Sequence, residues 1–160
     1  MQVDGNAVGD RGEDIVKILL TRRYGRTTPR FRPTSMGEKH PAIDFMVELV
    51  GSVGSPTPLF FAQVKATSHG VDTRGNVNIR VRPHQMSSLV TYPAPTHIVG
   101  VDETAEEAFI LAALSGGAMG LSSLPARHSL VDEQTLIRLF DEVERFWQAH
   151  AAPFTVSQFI

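Results

Sequence analysis

Two neighbouring segments of the sequence decide the fold, IDFMVELV at residues 43–50 and LFFAQVKA at residues 59–66. In the first segment alternate residues from Phe45 to Leu49 are apolar and share one face of an extended chain, which is typical of a strand with one buried side. The second segment is apolar almost throughout, which predicts a buried strand. Glycine, serine and proline between the two segments predict a turn. We therefore expect a β-hairpin with Asp44 near its open end.

An amphipathic helix is predicted upstream of this hairpin, at residues 6–23. We expect it to end at Gly25, which suits a left-handed helix cap. Gly9 and Gly12 lie within its apolar face, so the helix is expected to approach a sheet closely. Glu13 lies at the rim of the same face, where its carboxylate would lean over the edge of that sheet.

The rest of the chain alternates strand and helix patterns. Further strands are predicted at residues 28–32, 76–82, 96–101 and 109–114, and further helices at 84–92 and from Asp132 to about residue 150. Polar or glycine-rich loops are expected at residues 33–41, 67–75 and 115–129. This order predicts an α/β fold with a central mixed β-sheet flanked by helices. A length of 160 residues fits a single domain over residues 1–160.

Composition limits the kinds of site that the chain can build. It contains no cysteine, so disulfides and thiolate metal sites are excluded, and any metal must be held by oxygen or nitrogen ligands. The six histidines show no close metal-ligand spacing, which argues against zinc. His97 lies in an apolar strand and is interpreted as a hydrogen-bonded core residue. The polar first residues and short apolar runs predict a cytoplasmic protein with no membrane partner.

Charge is distributed unevenly along the chain. Residues 1–90 hold 12 Lys and Arg against 8 Asp and Glu, whereas residues 91–160 hold 3 against 9. A local basic face on a nearly neutral chain can bind phosphates, although ordinary surface charge gives the same pattern. Seven residues are candidates for nucleic-acid contacts: Arg22, Arg23, Arg30, Arg32, Arg80, Arg82 and His84. His84 could equally cap the helix that it opens.

One constellation of polar residues stands out from this background. Asp44 opens the first strand of the hairpin, and Gln63 and Lys65 lie on the second strand, two residues apart and therefore on one face. Glu13 arrives from the packed helix. We expect the four side chains to converge at one end of the sheet.

This arrangement resembles the PD-(D/E)XK nuclease superfamily, which includes restriction endonucleases and Holliday junction resolvases, and within it an uncharacterised prokaryotic branch with a Gln-x-Lys motif. The resemblance covers residues 6–102 and implies a restriction-endonuclease-like αβββαβ core; residues 103–160 form an extension with a strand and a helix. It implies that the catalytic residues are Glu13, Asp44, Gln63 and Lys65. Ile43 replaces the family's proline, and Gln63 replaces its usual acid, which implies weaker metal affinity and leaves inactivity open.

The chemistry of phosphodiester cleavage assigns a role to each of these residues. The reaction needs charge neutralised on the scissile phosphate and a water made nucleophilic, and Mg²⁺ or Mn²⁺ with oxygen ligands provides both. Asp44 would anchor the ion, with Gln63 Oε1 and the Val64 carbonyl as neutral ligands. Glu13 could bind it directly, through water, or at a second metal. Lys65 would orient the attacking water, stabilise developing charge, or act as a base.

Three functions are compatible with the sequence. The first is a Mg²⁺- or Mn²⁺-dependent nuclease whose partner is nucleic acid, in particular DNA. The second is a nucleic-acid-binding or protein-interaction domain on the same fold, with Gln63 marking a decayed site. The third is a subunit whose exposed sheet edge serves assembly with a partner or as a homodimer.

Overall fold

A computed structural model describes residues 5–38, 40–53, 57–114, 119–150 and 156–159. The helices are α1 Gly5–Leu20, α2 Pro83–Leu89 and α3 Glu133–His150. The strands are β1 Phe31–Ser35, β2 Phe45–Leu49, β3 Leu59–Thr67, β4 Asn76–Val77, β5 Thr96–Asp102, β6 Glu107–Ala112 and β7 Leu124–Pro125. No helix within these described ranges is long and apolar enough to cross a membrane.

Five of the strands form one mixed sheet, in the order β1-β2-β3-β5-β6. The hairpin of β2 and β3 is antiparallel, as predicted, and β1 pairs antiparallel with the outer edge of β2. Strand β5 runs parallel to β3, and α2 lies in the connection between them. Parallel neighbours require such a crossover because a short turn cannot return the chain to the same end. The predicted α/β class with a central mixed sheet is confirmed.

Each face of the sheet carries its own apolar layer. The first layer joins α1 and α3 to one face of the central strands, with Val64 and Val99 among its buried residues. The second layer covers the opposite face with α2, β4 and β7, and includes Ile79 and Ile98. Because adjacent strand residues point to opposite faces, Gln63 and Lys65 lie on the side of the second layer.

Helix α1 lies very close to β3 at one glycine. A Cβ atom added to Gly12 would lie 2.6 Å from the Cβ of Ala66, well inside the usual contact distance between carbons. The predicted close approach is therefore confirmed at Gly12. It is wrong at Gly9, where an added Cβ would meet nothing within 4 Å, because that turn of the helix extends past the sheet.

Two predicted boundaries near the N-terminal end are wrong. Helix α1 ends at Leu20 rather than residue 23, because the Thr21 hydroxyl donates to the Lys17 carbonyl at 2.8 Å and Tyr24 and Gly25 adopt left-handed φ angles of 46° and 79°. Strand β1 lies at 31–35 rather than 28–32. It includes Pro33, which an edge strand accommodates since one of its sides needs no hydrogen-bond donor.

The segment at residues 76–82 differs most from its prediction. Only Asn76–Val77 is a strand, and it pairs with β7 in a separate two-stranded sheet. Apolar and polar residues alternate along this segment, which predicts Ile79 and Val81 inward and Arg80 outward; Ile79 and Val81 are indeed buried and Arg80 is exposed. Val81 instead exchanges backbone hydrogen bonds with Leu121 at 2.8 Å in both directions. Alternating hydrophobicity identified the buried side of this segment but carried no information about which strand would pair with it.

The remaining boundaries shift by a few residues. Helix α2 ends at Leu89 rather than residue 92, and β6 covers 107–112 rather than 109–114. Strand β7 lies inside the predicted loop at 115–129, of which residues 115–118 lie outside the described part.

Helix α3 connects the C-terminal part of the chain to the hairpin. Asp132 caps its first turn by accepting the Gln134 amide at 3.1 Å, as predicted. Near the other end of the helix, Trp147 Nε1 donates to the Leu59 carbonyl of β3 at 2.7 Å. Buried α3 residues such as Leu136 and Val143 share the first layer with β2 and β3.

Candidate functional site

The candidate site lies where β2 ends and β3 continues. Strand β2 begins at Phe45, opposite Ala62, so residues 63–67 of β3 have no strand on that side within the described chain. Asp44 stands at the start of this open edge. Its backbone N–H donates to the Ala62 carbonyl at 2.9 Å, and its Oδ2 accepts the Val64 N–H at 2.6 Å. The Asp44 carboxylate thus takes the place of a strand partner for β3.

The backbone of Val64 contributes a second group to this edge. In a strand the N–H and C=O of one residue point to the same side, as the paired bonds between opposed residues show. Since the Val64 N–H points toward Asp44, the Val64 carbonyl points to the same open edge. It supplies a neutral oxygen beside the carboxylate.

Gln63 is buried although it is polar. Only 2% of the residue is exposed, and its Oε1 has no hydrogen-bond partner among the described residues. A buried acceptor without a donor is destabilising, so most such atoms in proteins are paired. This amide oxygen is therefore available to a donor or cation that the protein chain does not supply.

Lys65 is half-buried on the same side of β3 as Gln63. Its register partner on β5 is Gly100, where an added Cβ would lie 3.5 Å from Ile79 and from Leu124. The absence of a side chain at Gly100 lets the second layer pack directly against the sheet next to Lys65. Lys65 has no salt-bridge partner in the ranges that the structure describes.

Glu13 reaches the site from α1. It follows Gly12, which lies on Ala66 at the C-terminal part of β3. Its carboxyl group is close enough to Asp44 for the two charges to repel. Asp44 is thus within electrostatic range of Glu13 on one hand and of Lys65 on the other.

Both carboxyl groups are harder to ionise than usual. Burial raises the pKa of Asp44, and the Val64 hydrogen bond and the charge of Lys65 partly offset that rise. Burial also raises the pKa of Glu13, and the charges of Asp44, Asp10 and Asp14 raise it further. A cation bound between Glu13 and Asp44 would offset both the cost of burying the two charged carboxylates and the repulsion between them.

Sequence reasoning missed two residues beside Asp44. His40 Nδ1 accepts the Ile43 N–H at 3.2 Å, and His40 Nε2 lies 3.3 Å from the Tyr92 hydroxyl. The Tyr92 ring in turn packs against Phe61 at a centroid distance of 5.3 Å. His40 is four residues from Asp44, and this short spacing was the available signal. Tyr92 had none, because it lies 52 residues away from His40.

The predicted phosphate-binding residues fall into two groups. Arg32 pairs with Glu48 in register, four strand residues from Asp44, which is roughly 13 Å. Arg30 lies further along, and its NH2 binds Glu133 at 2.8 Å with 12% of the side chain exposed. Arg22 and Arg23 are exposed after α1. The structure therefore places these four arginines toward the other end of the hairpin. The guanidinium of Arg30 is already bound to Glu133 within the protein.

The second basic group lies nearer the site. Arg80 and Arg82 are exposed on the segment whose buried residues, Ile79 and Val81, share the second layer with Ile43. His84 is exposed in the first turn of α2, and the cap there is formed by Gln85 Oε1, which accepts the Arg82 N–H at 3.0 Å. Arg80, Arg82 and His84 thus remain available to a ligand.

One apolar cleft of the structure lies away from the candidate site. A mostly apolar cleft of about 520 Å³ lies between α2, α3 and the ends of β5 and β6. His97 lines it and binds Glu142 through Nε2 at 3.2 Å, while its buried Nδ1 has no partner among the described residues. The expectation of a fully hydrogen-bonded core histidine is therefore met at one nitrogen only.

The oxygen atoms of Glu13, Asp44, Gln63 and Val64 are of the kind that binds a hard divalent cation. Carboxylate, amide and backbone carbonyl oxygens are the ligands that Mg²⁺ and Mn²⁺ prefer, and the unpaired Gln63 Oε1 is one of them. The negative charge of the set comes from Glu13 and Asp44. Across the described ranges no three or more His, Cys, Asp or Glu side chains group together as metal ligands, so neutral oxygens must complete the set.

Comparison with known proteins adds no further assignment. No protein-family model matches the chain, and a search of curated proteins finds no significant match.

Proposed function

We propose that the chain is a divalent-metal-dependent nuclease with a restriction-endonuclease-like core, and that it hydrolyses phosphodiester bonds of DNA. The observation that carries the proposal is the position of Asp44, whose carboxylate binds the Val64 amide at 2.6 Å on the unpaired edge of β3. An acid held there, between a second acid and a lysine, is an arrangement suited to hydrolysing a phosphate ester.

The order of elements supports the same proposal. Helix α1 is followed by the meander β1-β2-β3, and α2 then leads to β5, which lies parallel to β3. Asp44, Gln63 and Lys65 come from the two central strands of that series, and Glu13 comes from α1. Apart from the two-residue strand β4, which lies between β3 and α2 and belongs to the separate small sheet, this order is compatible with the αβββαβ core that the resemblance implies.

The residues that would hold the metal are Asp44, Gln63 through Oε1, Val64 through its carbonyl, and Glu13. When bound, Mg²⁺ or Mn²⁺ supplies positive charge that offsets the phosphate and makes water more acidic. The Val64 N–H fixes the Asp44 carboxylate before any ligand arrives. Such preorganisation avoids the cost of ordering the group during the reaction.

Lys65 and Glu13 complete the chemistry of the site. The Lys65 ammonium carries three hydrogen-bond donors and no acceptor, so it can hold a phosphate oxygen or orient the attacking water. Glu13 is positioned through Gly12, whose contact with Ala66 fixes the distance of α1 from β3. A shift of α1 would therefore change the separation of Glu13 and Asp44.

Nucleic acid is proposed to approach over the second layer. Arg80, Arg82 and His84 are exposed there, on the same side of the sheet as Gln63 and Lys65. Phosphate contacts from such residues position a duplex without reading its sequence. Arg30 is not needed for this face, since it already binds Glu133.

A second candidate function follows from Gln63 itself. A neutral amide at a position that could hold a carboxylate leaves two acids at the site, and hard cations respond strongly to ligand charge. The alternative is therefore a nucleic-acid-binding or protein-interaction domain on the same fold in which hydrolysis has been lost.

A cleavage assay on single- and double-stranded DNA and RNA, with Mg²⁺ or Mn²⁺, separates the two functions. We expect the wild-type protein to cut DNA and Asp44→Asn and Lys65→Ala to lose activity by about a hundredfold or more. Glu48→Gln is the matched control for Asp44→Asn. Glu48 lies four residues after Asp44, on the same side of the chain, but it pairs with Arg32 away from the site. DNA binding without cleavage under all metal conditions would favour the decayed domain.

A further inference from the structure

The peptide that carries Asp44 is fixed from outside the sheet. Residues 36–38 and 40–43 lie between β1 and β2 outside any helix or strand, and the Ile43 N–H donates to His40 Nδ1 at 3.2 Å. The next backbone group, the Asp44 N–H, donates to the Ala62 carbonyl of β3 at 2.9 Å. Two successive backbone amides are thus held by partners on different elements. Together they define the direction in which the Asp44 side chain points.

The hydrogen bonds of His40 select one state of its ring. Nδ1 accepts the Ile43 N–H, so it must be unprotonated, and a neutral ring then carries its proton on Nε2. Nε2 lies 3.3 Å from the Tyr92 hydroxyl. The ring therefore donates at Nε2 to the tyrosine oxygen and accepts at Nδ1 from the backbone.

Tyr92 is itself held in place by the second layer. Its ring packs 5.3 Å from Phe61 and 5.9 Å from His40, measured between centroids. Phe61 belongs to β3, two residues before Gln63. A chain of contacts therefore runs from Phe61 of β3 through Tyr92 and His40 to the Ile43 amide, next to Asp44.

We propose that His40 is a positioning residue for Asp44: Tyr92 orients the ring through Nε2, and Nδ1 accepts the Ile43 N–H and so fixes the Ile43–Asp44 backbone with the Asp44 carboxylate on the Val64 amide. The role of this device in catalysis rests on the proposed nuclease function, whereas the positioning itself can be tested without activity. Ile43 is only 1% exposed, so its amide has no access to water as an alternative partner and depends on His40.

Two substitutions at His40 separate its two nitrogens. In His40→Asn the amide oxygen can replace Nδ1 as the acceptor for Ile43 but cannot reach Tyr92. In His40→Gln the longer side chain can reach Tyr92 but offers no acceptor at the Nδ1 position. Tyr92→Phe removes the hydroxyl and keeps the packing on Phe61.

The test measures hydrogen exchange and the proton chemical shift of the Val64 amide, together with Mn²⁺ affinity. We expect His40→Asn to keep Val64 protection within about threefold, and His40→Gln to lose it by about tenfold or more, with Mn²⁺ affinity falling in parallel. Tyr92→Phe should fall between them. Cleavage by His40→Gln should show a lower kcat with little change in KM, because the effect passes through Asp44 rather than through DNA contacts.

The opposite pattern would overturn the proposal. If His40→Gln is folded by circular dichroism and leaves the Val64 amide and Mn²⁺ affinity as in wild type, His40 does not position Asp44. If the Val64 amide responds as expected while the wild-type protein cuts no substrate, the positioning role stands and the nuclease function fails.

Discussion

The contact between α1 and β3 predicts opposite effects of the same substitution at two glycines of one helix. Gly12→Ala would place a Cβ 2.6 Å from the Cβ of Ala66, whereas Gly9→Ala would place one in open space. Both glycines lie inside α1, so both substitutions gain the same helix propensity. The difference between the two variants therefore isolates the contact with β3.

The magnitude follows from the geometry. Ordinary contacts between carbon atoms begin near 3.5 Å, so α1 must move away from β3 by about 1 Å to accept the new methyl group. Overpacking of this kind costs about 1–3 kcal/mol, and alanine recovers about 1 kcal/mol of helix propensity over glycine. We expect Gly12→Ala to lose up to about 2 kcal/mol of unfolding free energy and Gly9→Ala to gain about 0.5–1 kcal/mol.

Thermal and urea denaturation measure both effects. For a chain of this length 1 kcal/mol shifts Tm by roughly 2–4 °C, so the two variants should differ by roughly 1–12 °C, with Gly12→Ala the lower. The double variant Gly12→Ala/Ala66→Gly should recover stability relative to the sum of the single changes, because it removes the methyl group that causes the clash. At 25 °C, where Gly12→Ala remains folded, cleavage should fall because Glu13 moves with the helix.

The result that would refute this reasoning is simple to recognise. If Gly12→Ala is as stable as Gly9→Ala, α1 does not lie on Ala66 at the distance described. If the double variant shows no coupling, the cost at Gly12 arises somewhere other than Ala66.

Three further predictions concern charge. Burial raises the pKa of Asp44 in the folded state, so the folded protein binds that proton more tightly than the unfolded chain, and stability without metal falls as pH rises from about 4. In EDTA, Asp44→Asn should therefore have a higher Tm than the wild type at pH 7, and the difference in Tm should close at pH 4. An equal difference at both pH values would contradict this prediction. Gln63→Glu should tighten Mn²⁺ binding on the order of tenfold, measured by calorimetry, because hard cations respond to ligand charge. In EDTA the same change should lower Tm, because a carboxylate at position 63 repels the acids already at the site. Unchanged Mn²⁺ affinity in both Gln63→Glu and Asp44→Ala would exclude a metal site. If Arg22 and Arg23 contact DNA phosphates, each substitution by alanine should make the plot of log binding constant against log salt concentration less steep by about 0.9. A slope equal to that of the wild type would show that the substituted arginine is not in the interface.

Local pattern was sufficient for the part of the fold that carries the site. The period-2 pattern of residues 43–50 and the apolar run of residues 59–66 were enough to predict the hairpin. The spacing of two residues was enough to place Gln63 and Lys65 on one face of its second strand. The close packing of α1 on β3 could also be predicted at Gly12, because a glycine on the apolar face of a helix allows the helix backbone to approach its neighbour closely.

Long-range partners could not be predicted from local pattern. Arg30 looked like a phosphate ligand until its partner Glu133, 103 residues away, was known. Tyr92 is joined to His40 across 52 residues, and nothing in either local sequence indicates the other. The segment 76–82 failed for the same reason, because its pairing partners at β7 and Leu121 lie in a stretch that carries no strand pattern.

The attachment of α3 has a consequence for synthesis on the ribosome. Trp147 binds the Leu59 carbonyl and Tyr24 donates to the Val131 carbonyl, contacts that span 88 and 107 residues. The apolar face of β2 and β3 therefore stays uncovered on the α3 side until the last helix has left the exit tunnel. Nascent chains that expose strands for so long are prone to aggregate and to engage chaperones, and stalled chains lacking α3 should be far more sensitive to protease than released protein.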